Sequence, residues 1–365
     1  MEKKILFFIP SIEEGGVEKN LYLISDYFIK KKLSVEVITC NFDKKRFFNK
    51  KIKIIGSKSN FLVNKSRLIK NIICIFYLFV NLLKNNKNTL VFSFQANSAA
   101  ALISKLTFTR IISRSNSSPS GWTGGFLKRL IYRLSLTLSN NIIVNSKEFQ
   151  KEFYRNFKTK VKCIYNPFNK SQIINKLNKT IKPPFKKKYS LKIISVGRLT
   201  DQKDQITLLK AAKLINKKIS PEIIIIGKGK NYFQLRNYIN KNNLNNIVKL
   251  LGYQPNPYSF IKKSDIVVLT SKYEGLPNIL LEAQFLNKYI ISTNCPTGPN
   301  EILLNGKAGD LIKIGDFKNL AKLINNFYKN KSKINKKILI GKRNFYRFDY
   351  KINCEKYYKL IYTSF

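Results

Sequence analysis

The sequence contains no histidine, and it sets only 20 Asp and Glu against 68 Lys and Arg over 365 residues. Without histidine there is no Ser-His-Asp or Cys-His nucleophile system and no His-ligated metal site. No Asp-x-Asp pair occurs, which argues against a carboxylate-bound metal holding a nucleotide diphosphate. The five cysteines, Cys40, Cys74, Cys163, Cys295 and Cys354, include no Cys-x-x-Cys pair. They read as reduced, mostly buried thiols of a cytosolic protein, not as a zinc, redox or disulfide framework. Long apolar runs are missing too. The longest, 72–80, falls well short of the ~20 residues of a spanning helix. Residues 1–10 hold a short apolar run followed by Glu13-Glu14, which reads as a buried first strand and not as a signal peptide.

What is present is a composition fit for packed cores, with 44% hydrophobic residues under a formal net charge of +48. That excludes a disordered polybasic tail. The charge is spread along the chain and favours anions: nucleic acid, phosphorylated small molecules or an anionic membrane surface. It does not choose among them.

The length suggests roughly two domains. Apolar, β-branched runs at 4–9, 34–40, 52–55, 89–94, 110–113, 141–144 and 161–164 alternate with helical patterns at 17–31, 66–83, 125–139 and 146–157. A second block repeats the alternation. Its strands are expected at 191–196, 222–226, 248–251, 266–270 and 289–293, with helices at 207–215, 232–241, 258–263, 278–285 and 317–328. Strands separated by helices imply parallel βαβ units with both sheet faces covered. Between the blocks, Pro183-Pro184 and Lys186-Lys187-Lys188 mark a linker. The expected organisation is a domain over 1–168, a linker over 169–189, a domain over 190–345, and a C-terminal helix in 346–365 packing back on the first domain.

Open α/β sheets bind ligands beyond the carboxyl ends of their strands, so the loops after strands are where chemistry belongs. The segment from Ser271 to Ala283 follows one strand and carries Glu274 and Glu282 in a Glu-x7-Glu spacing. Pro277 suits the first position of a helix, which leaves Glu274 in the loop and Glu282 about one turn inside. Backbone N–H groups over Gly275, Leu276, Pro277 and Asn278 would then meet an anion at the helix N-terminus. The same spacing equally serves a carboxylate that favours a helix dipole and a solvated glutamate.

Gly197, Arg198 and Lys203 follow another strand, where the two cations can converge on a diphosphate. Gly15-Gly16, between the first strand and first helix with Glu18 behind, is a candidate anion cradle. Gly227-Lys228-Gly229 follows a strand but lacks the end of a P-loop.

Taken together and in this order, these residues resemble the family 4 retaining glycosyltransferases of the GT-B fold, an α/β architecture of two Rossmann-like doubly wound domains facing a central cleft. The resemblance runs through Gly197-Arg198-Leu199 with Lys203, Gly227-Lys228-Gly229, Leu251-Gly252-Tyr253, Glu274 to Glu282, and Glu301, with Gly15-Gly16 and Glu18 in the first domain. The segments Asn294–Leu303 and Ser113-Arg114-Ser115-Asn116 look like the bacterial branch that builds surface glycans, including N-acetylhexosamine transferases acting on polyprenyl-diphosphate acceptors.

The resemblance implies a role for each residue. Arg198 and Lys203 would hold the donor diphosphate, Glu282 the ribose hydroxyls, and Glu274 the donor sugar. Gly275 to Asn278 would approach sugar and phosphates, Gly197 and Gly227 would line the donor site, Gly252 and Tyr253 would meet the base, and Gly15-Gly16 the diphosphate and the acceptor edge. Asn97, Arg114 and Asn116 would sit on the acceptor side. The expected activity is transfer of a hexose or N-acetylhexosamine from a nucleotide-diphosphate sugar, UDP-linked, to a glycan or polyprenyl-diphosphate-linked acceptor, with no cofactor and no metal. Many relatives carry an active-site histidine in the first domain; here Gln95 or Asn97 would take its place.

A nucleotide-sugar 2-epimerase of the same fold is the alternative enzyme, but it relies on histidine. A nucleic-acid-binding protein would explain the charge, though not the glutamate pair. Lys65, Arg67 and Lys70 precede the apolar helix 72–83, and Lys128, Arg129 and Arg133 lie on 126–138. Basic amphipathic helices dock on anionic membranes, which would make this cytoplasmic protein peripheral on the inner face of the membrane. Plain core helices with solvated basic faces are the other reading.

Overall fold

The β-branched runs become parallel strands, each fed by a helical crossover. The computed structural model describes residues 3–13, 15–56, 62, 65–85, 87–116, 133, 137–178, 185 and 191–365. The chain divides into a first unit, Met1–Pro167 with Asp349–Phe365, and a second, Phe168–Phe348. In the first, β1 (Lys4–Phe8), β2 (Ser34–Ile38), β3 (Lys53–Ile55), β4 (Thr89–Ser93), β5 (Arg110–Arg114), β6 (Asn141–Val144) and β7 (Lys162–Cys163) form one sheet of order β3-β2-β1-β4-β5-β6-β7. In the second, β8 (Leu191–Val196), β9 (Pro221–Ile226), β10 (Val248–Leu250), β11 (Ile266–Leu269), β12 (Tyr289–Thr293) and β13 (Asp310–Ile312) follow the order β10-β9-β8-β11-β12-β13.

Both are parallel-sheet, Rossmann-like domains. In each sheet the strand order turns back once, between β1 and β4 and between β8 and β11. Loops leaving the carboxyl ends of two such neighbours diverge to opposite faces and leave a crevice.

Three expectations change. Part of the segment expected as a linker is the helix Lys170–Leu177, started by the Asn169 side chain, which accepts from the N–H of Gln172 at 3.3 Å. This helix belongs to the second unit, where the Asn256 side chain donates to the Lys176 carbonyl at 2.7 Å. The strand β13 and the helix Lys331–Arg343 were absent from the sequence reading. Lys70, grouped above with the basic residues flanking an apolar helix, is buried on the inner side of the helix Arg67–Lys84. The helix expected over 125–139 lies mostly outside the described residues, with Lys128 and Arg129.

The first core is closed by the far end of the chain. The helix Tyr350–Tyr362 places Cys354, Tyr357, Leu360 and Ile361 among Ile5, Phe7, Phe28 and Phe92. Tyr357 is fully buried, and its Oη accepts from Arg114 Nε at 3.0 Å while donating to the Ile164 carbonyl at 3.3 Å. Arg114 is itself fully buried at the end of β5. Its guanidinium donates to Asn116 Oδ1 and, at 2.6 Å, to Asn166 Oδ1, and lies 5.1 Å from the Phe94 ring centre. Among the described residues these partners are all neutral, so the charge rests on hydrogen bonds and a ring face.

Tyr357→Phe should therefore cost about 1–3 kcal/mol, since it leaves a buried guanidinium N–H without its acceptor. Ile352→Ser, on the exposed side of the same helix, should stay within about 0.5 kcal/mol of wild type. Urea unfolding of the two variants checks this, and equal midpoints would remove the Arg114–Tyr357 bond from the account.

Candidate functional site

β8 and β11 lie side by side, with Ile193 opposite Ile266 and Ile194 opposite Val267. Their carboxyl ends lead into the loops that carry Lys203 and Glu274, residues 71 positions apart in sequence. Across the switch point the Lys203 Nζ meets Glu274 Oε1 at 2.5 Å, and the Ser271 hydroxyl donates to the same oxygen at 2.6 Å. The two side chains are only 15% and 8% exposed, so this is a largely desolvated ion pair.

The backbone around it is cross-braced. The Glu274 N–H donates to the Pro296 carbonyl at 2.6 Å, and the Lys272 N–H to the Gln202 carbonyl at 2.8 Å. Gln202 Nε2 reaches the Tyr273 carbonyl at 2.9 Å, Thr270 Oγ1 the Lys203 carbonyl at 3.0 Å, and Thr293 Oγ1 the Ser271 carbonyl at 2.6 Å. Three loops, after β8, β11 and β12, are thus fixed to one another. At Gly298, with φ +89°, an added Cβ would stand 2.2 Å from the Gly275 carbonyl oxygen, so the loop after β12 can approach only without a side chain. Beside the pair, burial first and the Glu274 charge second push the Cys295 thiol up to about 12. It stays a neutral thiol.

Glu282 lies in the second turn of the helix Asn278–Phe285, is 5% exposed, and accepts from the Tyr258 hydroxyl at 3.4 Å. Pro277 caps that helix in an extended conformation and does not form its first residue, a one-residue correction to the sequence reading. Gly275, Leu276 and Pro277 are buried and Asn278 is half-buried. Arg198 is exposed at the end of β8, and its carbonyl accepts from Gln205 Nε2 at 2.9 Å. After β10, Gly252 turns the chain and Tyr253 presents a half-exposed ring, with Lys228 Nζ 5.2 Å from its centre. Gly197 has room for a Cβ at ordinary contact with the Lys203 stem. The steric demand falls instead on Gly227, where a Cβ would lie 1.8 Å from the Gly197 carbonyl oxygen.

In the first unit the expected residues behave differently. The Gly15 N–H donates to Glu18 Oε2 at 2.8 Å and the Glu13 N–H to Glu18 Oε1 at 3.3 Å. The turn expected as an anion cradle at Gly15-Gly16 therefore already holds a carboxylate of its own. Burial holds the Glu18 carboxyl above the usual carboxylate range, although those backbone donors pull the other way. Gln95 takes the Ser11 N–H on Oε1 at 3.2 Å and returns Nε2 to the Ser11 carbonyl at 2.9 Å, tying the β1 and β4 loops at their switch point. Asn97 Nδ2 donates to the Arg114 carbonyl at 3.0 Å, and Asn116 Nδ2 to the Phe94 carbonyl at 2.8 Å. Asn97, Arg114 and Asn116 thus belong to one internal network. Arg114, expected to touch the acceptor or donor, is turned inward with no exposed surface.

Sequence reasoning missed Ser271, Thr293 and Tyr258, which hold the two glutamates and their loop. Only Ser271, three positions from Glu274, had any local signal. Among the described residues no group of three or more Cys, Asp and Glu is arranged to hold a metal.

The family described as glycosyl transferases group 1 matches residues 142–343. An uncharacterized glycosyltransferase of Methanocaldococcus jannaschii is 39% identical over 184 residues, 48% of this chain, and the chain spans 44% of that relative's length. A Campylobacter jejuni enzyme, the N-acetylgalactosamine-N,N'-diacetylbacillosaminyl-diphospho-undecaprenol 4-alpha-N-acetylgalactosaminyltransferase, is 26% identical over 362 residues, covering 91% of this chain and 94% of its own. Among solved structures, Anabaena HepE in complex with UDP and glucose superposes with a TM-score of 0.78 at 18% identity, over 99% of this chain and 100% of that one. That likeness carries the fold, two parallel-sheet domains of the GT-B type. With the family match spanning more than half of its residues, the chain belongs to the glycosyl transferases group 1 and is a glycosyltransferase.

Proposed function

We propose that the protein moves a hexose or N-acetylhexosamine from a nucleotide-diphosphate sugar, UDP-linked, to a glycan or polyprenyl-diphosphate-linked acceptor in surface-polysaccharide or glycoprotein-glycan assembly, with retention and without a metal. The observation that carries this reading is the Lys203–Glu274 pair at the β8/β11 switch point, with Glu282 in the helix that follows. The Campylobacter relative, named for transfer to a diphospho-undecaprenol-linked acceptor, supports the acceptor class.

In this reading the donor diphosphate lies against Lys203 and the exposed Arg198, and it competes with Glu274 for the ammonium. The Glu274 carboxylate then turns its hydrogen-bonding capacity to the sugar. Glu282 takes the ribose hydroxyls, and the half-exposed Tyr253 ring stacks with the base. The bond from C1 of the sugar to the β-phosphate oxygen breaks while the acceptor oxygen bonds to C1 on the same face. The acceptor's proton passes to the departing phosphate oxygen, so no protein base is needed. Lys203 and Arg198 stabilise the charge left on the phosphate, and Glu274 the positive charge on the sugar.

Glu282→Gln should raise KM and the nucleotide's Kd with little change in kcat, by about 1.5–3 kcal/mol for the charged hydrogen bonds lost. Glu274→Gln should lower kcat more than it raises KM. Lys203→Ala should share the kcat loss and also cost about 3–5 kcal/mol of stability, since it strands a buried carboxylate. Steady-state kinetics, nucleotide titration and melting curves on the same preparations separate these effects. Unchanged KM and nucleotide affinity in Glu282→Gln would place the donor elsewhere.

Turnover should also survive EDTA. Activity abolished by the chelator and restored by Mg²⁺ or Mn²⁺ would overturn the metal-free mechanism.

A further inference from the structure

The helix Arg67–Lys84 is apolar on two opposite sides, although a helix on the face of a sheet needs only one. Its inner side buries Cys74, Leu78 and Leu82 in the first unit's core. Its outer side carries Leu68, Ile72, Phe76, Phe79 and Leu83, spaced four, four, three and four residues apart, so they stand in one stripe turned away from that core. These five are between 36% and 68% exposed. The neighbouring helix Asn97–Leu106 adds exposed Leu102 and Leu106. Apolar residues scattered singly over a surface need no explanation, but a continuous stripe of large ones does.

The charge around the stripe has one sign. No Asp or Glu occurs between Asp43 and Glu148, a span that contains both helices. Exposed Arg67 stands at the start of the stripe, with exposed Lys84 and Lys87 at its end. Lys70 points inward and takes no part.

We propose that this face docks the first unit on an anionic lipid bilayer. The stripe enters the boundary between headgroups and acyl chains, while Arg67, Lys84 and Lys87 meet lipid phosphates. The helix lies in the plane of the surface, because no described helix is long and apolar enough to cross a membrane. A second copy is a poor occupant, since two such faces would bring basic rims together. The docking surface goes beyond the donor-site reading and does not depend on it.

The experiment is co-sedimentation of the purified full chain with phosphatidylcholine vesicles, with and without phosphatidylglycerol. Binding should be on the order of a hundredfold tighter to the anionic vesicles. It should be released in ~1 M salt, where charge attraction is screened within about 3 Å. The net charge alone would bring some protein to such vesicles, so the decisive variant keeps every charge. Ile72→Gln/Phe76→Gln/Leu83→Gln should lose at least about tenfold in binding, through the apolar area withdrawn from the acyl region. Phe233→Gln, which removes a 76% exposed ring from the second unit, should lose none. Melting curves and nucleotide binding report whether the triple variant is folded; should it not be, Arg67→Glu/Lys84→Glu must lose binding on its own. Full binding by the folded triple variant, equal recovery on neutral and anionic vesicles, or a dimer abolished by the triple variant would each overturn the proposal.

Discussion

A desolvated ion pair, Lys203 with Glu274, sits where the strand order of the second sheet turns back, and the loops of the carboxyl edge are arranged around it. Such a pair is a poor source of stability. Removing two charges from water costs several kcal/mol per ion, and their attraction repays this only with good geometry and further hydrogen bonds. Glu274 has those, from Ser271 on the side chain and Pro296 on the backbone. Replacing such a buried pair by well-packed apolar residues of similar volume is often neutral or stabilising. What apolar residues would not supply is a cation and an anion held in fixed positions at the crevice, which is the arrangement that electrostatic stabilisation of a charged transition state needs.

Scarcity of acid shapes the rest of the molecule. Where a carboxylate is buried in a sheet, lysines from neighbouring strands reach it. Glu36 on β2 meets Lys4 of β1 at 3.6 Å and Lys53 of β3 at 3.3 Å, and Glu222 on β9 meets Lys249 of β10. Glu18 is held differently, by backbone N–H groups at a helix start. With 20 acids against 68 bases, most of the positive charge has no acidic counterpart in the chain. The acid-free span between Asp43 and Glu148 is the extreme of that imbalance. It also holds the helix whose outer side is apolar.

The strands were legible because a parallel strand covered on both faces reads as a nearly continuous apolar run, and Ile266–Leu269 needs nothing else to be recognised. β13 was not, because Asp310-Leu311-Ile312 is too short to carry a period. The helix Lys170–Leu177 was lost for the opposite reason, a polar, lysine-rich surface that looks like linker. At the site, the spacing of Glu274 and Glu282 placed one in a loop and the other inside a helix. It could not reveal that Glu274 pairs with Lys203, because that contact exists only once β8 and β11 are neighbours. Arg114 was placed on the acceptor side through the resemblance alone, and arginine is almost never fully buried. The chain buries it against Tyr357, a residue from the last helix whose partner no local pattern announces.

The missing histidine has a consequence for how such a site handles protons. Histidine is the side chain whose unperturbed pKa lies between pH 5 and 8, and the thiol nearest the pair, Cys295, is pushed up to about 12. At the first unit's switch point Gln95 spends both ends of its amide on Ser11, and it neither gains nor loses a proton. The arrangement around Lys203 and Glu274 is therefore not built on a histidine or a low-lying thiol. It provides fixed charge and fixed geometry: an ammonium and a carboxylate locked by three loops, a guanidinium at the strand end, and a second carboxylate in the following helix. In the proposed reaction the leaving phosphate itself accepts the proton, and it asks for nothing more from the protein than that.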